Sequence, residues 1–142
     1  NINKNEIEDL SPLEGLTELT WLELGNNAIR DIRPLANLTK IERLSIAFNH
    51  VSNIEVIGNL KNLQWFNADN NDISEASPLL ELTDLSWVTI EHNALDDLAI
   101  LNDIDSTGAD VYHQDPATPP TVTPPTTRVY SEATGTRPRT RR

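Results

Sequence analysis

The fold of this chain is decided by a stretch that occurs four times: LTWLELGNNAI at residues 19–29, IERLSIAFNHV at 41–51, LQWFNADNNDI at 63–73 and LSWVTIEHNAL at 85–95. Successive copies begin 22 residues apart, without insertion or deletion. A fixed period of this length is the signature of a solenoid, in which each unit is one coil and neighbouring coils bury a continuous core. The repeat therefore predicts the architecture before any single segment is considered.

Each copy combines a strand pattern with an asparagine at the same position of the repeat. Apolar and variable residues alternate in the L-x-x-L-x-L segment, which predicts a short strand with one buried face and one outward face. An asparagine amide can both donate and accept, so we expect the asparagine after each strand to satisfy backbone groups in a buried turn. We call this column the asparagine ladder: Asn5, Asn27, Asn49, Asn71 and Asn93.

The side of each coil opposite the strand is marked by proline. SPL at 11–13, RPL at 33–35 and SPL at 77–79 occupy equivalent places, and one unit has Glu55-Val56 instead. Proline suits the start of a short helical turn, because the N–H that it lacks would be unpaired there. The pattern predicts a 3₁₀ or similar turn on that side.

The unit LxxLxxLxLxxNxIxDIxPLxxL resembles the 22-residue leucine-rich repeat of the internalin-like bacterial surface proteins. The resemblance implies an α/β repeat solenoid that is right-handed, with about five coils, parallel strands on the concave face and 3₁₀ or irregular turns on the convex face. It also implies that ligand proteins bind in the concavity. The residues that carry it include Leu16, Leu19, Leu22, Leu24, Asn27, Ile29, Asp31, Ile32, Pro34 and Leu35.

The two ends of the chain predict its organisation. Ile2 has the place that Leu24 has in the next coil, so the solenoid is expected to begin in mid-repeat, without the N-terminal cap of internalins, and to occupy residues 1–112. Without a cap we expect an apolar edge near Leu19, Leu22 and Leu24. Residues 113–142 are rich in proline and threonine, which predicts a disordered linker or tail.

Composition excludes several classes of function. Residues 1–114 carry 6 Lys+Arg and 20 Asp+Glu (6 − 20 = −14), whereas 115–142 carry 5 and 2 (5 − 2 = +3). The acidic part would repel phosphate backbones, so no nucleic-acid partner is expected. The sequence has no cysteine, which excludes disulfides and thiolate chemistry. It also has no apolar run of the length that spans a membrane.

Large side chains occupy one outward column of the strands, which we call the aromatic stripe: Trp21, Arg43, Trp65 and Trp87. The leucine columns already fill the core, and strands about 4.8 Å apart would make this stripe about 14 Å long. The rings could merely shield the strands and stack on one another, with Arg43 over a ring. We favour a recognition surface, because exposed Trp and Arg ringed by polar residues are typical of interface hot spots.

The predicted function is that of a non-catalytic protein–protein interaction module of a secreted or cell-surface protein, bacterial in origin, without cofactor or metal. Two alternatives stay open. The repeat length also occurs in an intracellular phosphatase regulatory subunit, so the chain could be an intracellular scaffold or regulator. The tryptophans could instead stack on sugar rings in a glycan-binding module. Besides the aromatic stripe, the predicted partner-binding residues are Glu23, Phe48, Asn67, Asp69, Thr89 and Glu91.

Catalytic and metal-binding patterns are weak. The three histidines, His50, His92 and His113, lie in different units and belong to no catalytic motif, so we predict that the segment is not an enzyme. Oxygen-bearing side chains at 69–72, with Glu91 one coil on, are a minor candidate for a weak cation site, although no calcium-loop pattern is present.

Overall fold

The structure is a computed structural model that describes residues 1–112. The predicted tail at 113–142 lies outside the described residues. Because each coil returns the chain to the same side, the strands pair in chain order and in parallel, forming one sheet. Its five strands are β1 (Trp21–Glu23), β2 (Arg43–Ser45), β3 (Trp65–Asn67), β4 (Trp87–Thr89) and β5 (Asp110–Tyr112).

Short helices alternate with the strands along the chain. In three of the 3₁₀ helices proline occupies one of the first two positions. Glu55–Asn59 forms a 3₁₀ helix without proline, so proline favours this turn but is not required for it. The predicted leucine-rich-repeat fold is confirmed. The helices are the 3₁₀ helices Ser11–Leu13, Arg33–Leu35, Glu55–Asn59 and Ser77–Glu81, followed by the α-helix α1 (Ala99–Ser106).

The strand register follows the repeat until the last strand. Trp21 pairs with Arg43, and the same 22-residue offset joins β2 to β3 and β3 to β4. Trp87 pairs with Asp110, so the offset between β4 and β5 is 110 − 87 = 23 residues. The extra residue falls in the coil that contains α1 and Gly108, whose φ of +99° suits glycine. The outward positions of β5 are therefore shifted relative to the repeat.

The first residues of the chain continue the same register. The Ile2 N–H donates to the Glu23 carbonyl at 3.0 Å, as the Leu24 N–H does to the Ser45 carbonyl at 2.9 Å. Leu22 and Leu24 are buried, with exposed fractions of 5% and 0%. For Leu22 and Leu24 the expectation of an apolar edge was wrong, because residues 1–10 cover the first strand and Ile2 packs against the core, whereas Leu19 is half-buried and Leu16 is 47% exposed.

The asparagine ladder lies beside the core and binds backbone groups of neighbouring coils. The Asn71 amide nitrogen donates to the carbonyls of Ile46 at 3.0 Å and Ala68 at 3.1 Å, and its oxygen accepts from the Val51 N–H at 3.0 Å. Asn49 repeats this arrangement one coil earlier. One side chain thus satisfies backbone groups of its own coil and of the preceding coil, which ties the turns together where water is excluded.

A second polar column begins the helical turns. In each coil a side-chain oxygen accepts the backbone N–H two residues further on, at 2.8–2.9 Å. For Asp9 and Glu75 this hydrogen bond is the main cause of a lowered pKa, and for Asp31 the largest cause is the side chain of Arg33. Part of the negative charge of the chain therefore comes from carboxylates that accept hydrogen bonds at the start of these turns. The column is Asp9, Asp31, Asn53, Glu75 and Asp97.

Candidate functional site

The aromatic stripe forms a continuous stack on the outward side of the sheet, which we call the strand face. The Trp65 and Trp87 rings lie 4.6 Å apart at an angle of 4°. The Arg43 guanidinium lies between two rings, 5.5 Å from the centroid of Trp21 and 5.9 Å from that of Trp65. Trp21 is 43% exposed, whereas Trp65 and Trp87 are partly buried. The stripe therefore has the ring stacking expected of a purely structural role, and it also has a surface that faces solvent.

Tyr112 extends the stripe by one more ring. Its centroid lies 5.7 Å from that of Trp87, at an interplanar angle of 41°. Sequence reasoning missed this residue because β5 is offset by one residue, which places Tyr112 opposite Thr89 in the sheet. The period-2 alternation of a strand, counted from Asp110, is the signal that could have found it.

Two tryptophans of the stripe differ in the hydrogen bonding of their indole N–H groups. The Trp21 Nε1 donates to Glu23 Oε1 at 3.1 Å. The Trp65 Nε1 is buried and has no hydrogen-bond partner among the described residues. A buried donor without an acceptor costs about 1–3 kcal/mol, so the fold alone gives no reason for an indole at position 65.

Glu23 supports the stripe and is not a free polar group at its rim. Its Oε2 accepts from Nδ2 of Asn1 at 2.6 Å and from Nδ2 of Asn3 at 2.9 Å, while its Oε1 holds Trp21. With both carboxylate oxygens engaged, Glu23 restricts the Trp21 ring. The structure thus gives Glu23 a positioning role, which the sequence did not reveal.

Asp69 is the carboxylate around which the remaining predicted residues gather. Its Oδ1 accepts from the Thr89 hydroxyl at 2.5 Å and from the Glu91 N–H at 2.8 Å, and its own N–H donates to the Asn67 side chain at 3.0 Å. Burial raises the pKa of Asp69, and the Glu91 carboxylate raises it further. The hydrogen bonds from the Thr89 hydroxyl and the Glu91 N–H, and the charge of His92, lower it. Thr89 is itself buried and holds the Asp69 carboxylate, whereas Asp69 and Glu91 are partly exposed.

Phe48 occupies a backbone conformation that a phenylalanine seldom adopts. Its φ is 56°, and its side chain is 52% exposed. The left-handed region is readily accepted by Gly and Asn, but it is costly for a bulky side chain. Equivalent positions in the other coils are also left-handed, and we call them the left-handed column: Lys4, Asn26, Phe48, Asn70 and His92.

Residues 1–112 contain no group of three or more His, Cys, Asp or Glu side chains placed to hold a metal ion. The minor cation candidate at 69–72 also uses Asn71 in the asparagine ladder. Within the same part of the chain no helix has the length and apolar character needed to cross a membrane.

Comparisons with known proteins agree with this architecture. The family model for leucine-rich repeats (two copies) matches residues 17–59. No curated protein matches the sequence. An internalin of Listeria monocytogenes, inlC2, is 35% identical with a TM-score of 0.69, over 77% of this chain and 48% of its own. A second, inlF, is 28% identical with a TM-score of 0.69, over 78% of this chain and 34% of its own.

A leucine-rich-repeat protein of Leptospira interrogans has the same fold at 23% identity, with a TM-score of 0.67, over 76% of this chain and 29% of its own. The chain thus has the leucine-rich-repeat fold, and its resemblance to the internalins and other bacterial leucine-rich-repeat proteins is confirmed. It spans about a third to a half of the length of the two internalins.

Proposed function

We propose that this chain is a non-catalytic protein–protein interaction module of a secreted or cell-surface bacterial protein, and that it binds its partner through the strand face. The observation that carries the proposal is the aromatic stripe. Its side chains lie outside the core and face away from it, yet they form an ordered stack that begins with the exposed ring of Trp21. Large apolar side chains kept on a surface are typical of binding sites.

The stack supports tight binding because it is already ordered. Arg43 is held between two rings, and Trp65 and Trp87 are parallel and in contact. Because these side chains are already held in place, binding of a partner costs them little entropy. Immobilising a flexible side chain at an interface costs about 0.5–1.5 kcal/mol. Trp and Arg are also the residues most enriched among binding hot spots.

The geometry favours a protein over a glycan. A sugar ring stacks on the flat face of an indole, but one face of Trp65 lies against Trp87 and Arg43 lies within 5.9 Å of its centroid. Tyr112 and Trp65 both contact Trp87. Trp65 and Trp87 consequently present mainly ring edges, which suit packing against protein side chains.

Resemblance to the internalins supports a secreted or surface location over the intracellular alternative. Fractionation of the source organism would test this directly. Detection of the protein in the cell-wall or medium fraction is expected, and its confinement to the cytosol would contradict the proposal and favour the scaffold alternative.

A photo-crosslinking residue tests the binding surface. One variant of the full chain carries it in place of Arg43 on the strand face, and the matched control carries it in place of Leu80, which is 40% exposed in the 3₁₀ helix Ser77–Glu81. Both are exposed to surface proteins of candidate host cells, and the wild-type chain is applied to a glycan array. We expect a protein adduct from position 43 that excess wild-type chain competes away. Adducts from position 80 alone, or glycan binding without a protein adduct, would refute the proposal.

A further inference from the structure

Two exposed apolar side chains lie on the strand face at different distances from the strands. Trp21 begins the aromatic stripe, and Phe48 lies just past the end of β2, with exposed fractions of 43% and 52%. Between the stripe and Phe48 the second coil has only the small residues Ser45 and Ala47. We call the part of the strand face between the stripe and Phe48 the trough, and in the second coil its margins are Arg43 and Phe48.

Phe48 is not needed by the fold. Its exposed ring recovers little burial energy, and its positive φ is better suited to the asparagine found at Asn26 and Asn70. A bulky residue kept at such a position, with its ring in solvent, points to a role in binding.

The charges beside Phe48 indicate what the trough would accept. The Phe48 N–H donates to the Asp69 carbonyl at 2.8 Å, and the Asn70 N–H donates to the Glu91 carbonyl at 2.8 Å. The aromatic ring and the two carboxylates thus lie on three adjacent coils. Asp69 is partly desolvated, which makes a nearby positive charge favourable.

Basic side chains of the chain itself also lie on this side of the molecule, and the charge of His92 opposes the rise in the pKa of Asp69. Arg43 is held against the rings of the aromatic stripe. Lys4 and His92 occupy the two ends of the left-handed column. Residues 1–112 together carry 6 Lys+Arg and 20 Asp+Glu (6 − 20 = −14). A partner of opposite charge is the one that the electrostatics would steer to this surface.

We propose that the partner, bound as in the proposed function, is a protein with a basic segment that lies in the trough. An Arg or Lys of the segment places its charged group at the Asp69 and Glu91 carboxylates and its methylene stem against the Phe48 ring. Cation–π attraction and packing of the stem both favour this arrangement. Apolar side chains of the segment contact the aromatic stripe.

A peptide library tests the proposal with the full chain. Random peptides of about twelve residues are selected on the wild-type protein at about 0.15 M salt, where purely long-range attraction is screened beyond about 8 Å. We expect the enriched peptides to contain Arg or Lys together with aromatic or aliphatic residues. Phe48→Asn and Asp69→Asn are each expected to weaken their binding about tenfold.

Matched controls separate the site from the overall charge and hydrophobicity of the chain. Leu80→Asn removes another exposed apolar side chain, and Glu55→Gln removes one negative charge, both in 3₁₀ helices away from the strand face. The controls are expected to leave binding within about twofold of wild type, since surface changes outside an interface have little effect.

Enrichment of acidic or neutral peptides, enrichment of no sequence, or equal losses from the site variants and the controls would each overturn the proposal. The proposed function is tested separately by the crosslink from position 43. A protein adduct there, combined with any of these results, would mean that the strand face binds a partner of different chemistry.

Discussion

The asparagine ladder and the aromatic stripe run across the same coils, yet they obey different rules. Four successive ladder residues make the same hydrogen bonds to backbone groups, and Asn49 and Asn71 are buried. The stripe combines Trp, Arg and Trp again, and its members contact one another through stacked rings and a guanidinium group placed over rings. Every coil requires the ladder asparagine for its backbone hydrogen bonds, whereas the residue in the stripe is not the same in every coil.

The difference separates residues that maintain the fold from residues that are free to serve function. A buried turn leaves backbone groups that only a donor–acceptor side chain of the right length can satisfy, so the ladder admits asparagine alone. The strand face is constrained only by solubility and by what binds there. Variation within a column of an otherwise regular repeat is thus an indication of function.

The largest effect is expected from the ladder. Asn71→Ala leaves the buried Val51 N–H without a partner and removes one of the two donors to the Ile46 and Ala68 carbonyls, which keep Asn49 and Asn93. We expect it to lower the free energy of unfolding by about 3 kcal/mol, since an unsatisfied buried group costs about 1–3 kcal/mol and each lost hydrogen bond about 0.5–1.5 kcal/mol. Asn5→Ala, at an exposed ladder position, is the control and should cost under about 1 kcal/mol. Chemical denaturation measures both, and equal losses would contradict the distinction.

The stripe should matter more for binding than for folding. We expect Trp21→Ala and Trp87→Ala each to weaken binding of the partner crosslinked at position 43 by about 2 kcal/mol or more, as truncated hot spots do. Calorimetric titration of the purified partner measures the change. A partner whose affinity ignores both substitutions would remove the stripe from the binding surface.

Stability measurements sharpen the comparison within the stripe. Trp65 is partly buried and stacked, so Trp65→Ala should cost about 2 kcal/mol of unfolding free energy, below the ~3–5 kcal/mol of a core aromatic because its unpaired N–H is removed as well. The exposed Trp21 serves as the control, with an expected cost under about 1 kcal/mol for Trp21→Ala. A Trp65→Ala variant as unstable as Phe66→Ala would place Trp65 with the core.

Phe48→Asn is expected to stabilise the fold by about 0.5–1 kcal/mol, because asparagine adopts a positive φ at lower cost. Thermal unfolding measures the gain, and Phe48→Ala, which keeps a Cβ without the preference of asparagine for this region, is the comparison. A clear loss of stability in Phe48→Asn would show that the ring is required by the fold.

The smallest effect concerns pH. Because burial raises the pKa of Asp69 above 3.8, its contribution to stability is fully present below that pH and is lost as the pH rises through the folded-state pKa. Asp69→Asn, which stays neutral, should therefore unfold at a slightly higher temperature than wild type at pH 7 and show no such gain at pH 3. Asp31→Asn is the control of opposite sign, since the pKa of Asp31 is lowered in the fold.

The sequence by itself determined the coil, the strand in each coil and the column in which each side chain lies. A 22-residue period allows one way of stacking identical units, so Trp21, Arg43, Trp65 and Trp87 had to be neighbours. Burial of the leucine columns followed from the same alternation.

Only the tertiary structure decided what the outward residues do. Glu23 holds Trp21, Thr89 is buried against Asp69, and Phe48 combines exposure with a left-handed backbone. The one-residue offset of β5 brings Tyr112 to the stripe. The physical reason is that a period determines a side chain's direction and its neighbours. Its hydrogen bonds and its remaining exposure depend on how side chains from residues 20–25 apart in sequence pack once the coils are stacked.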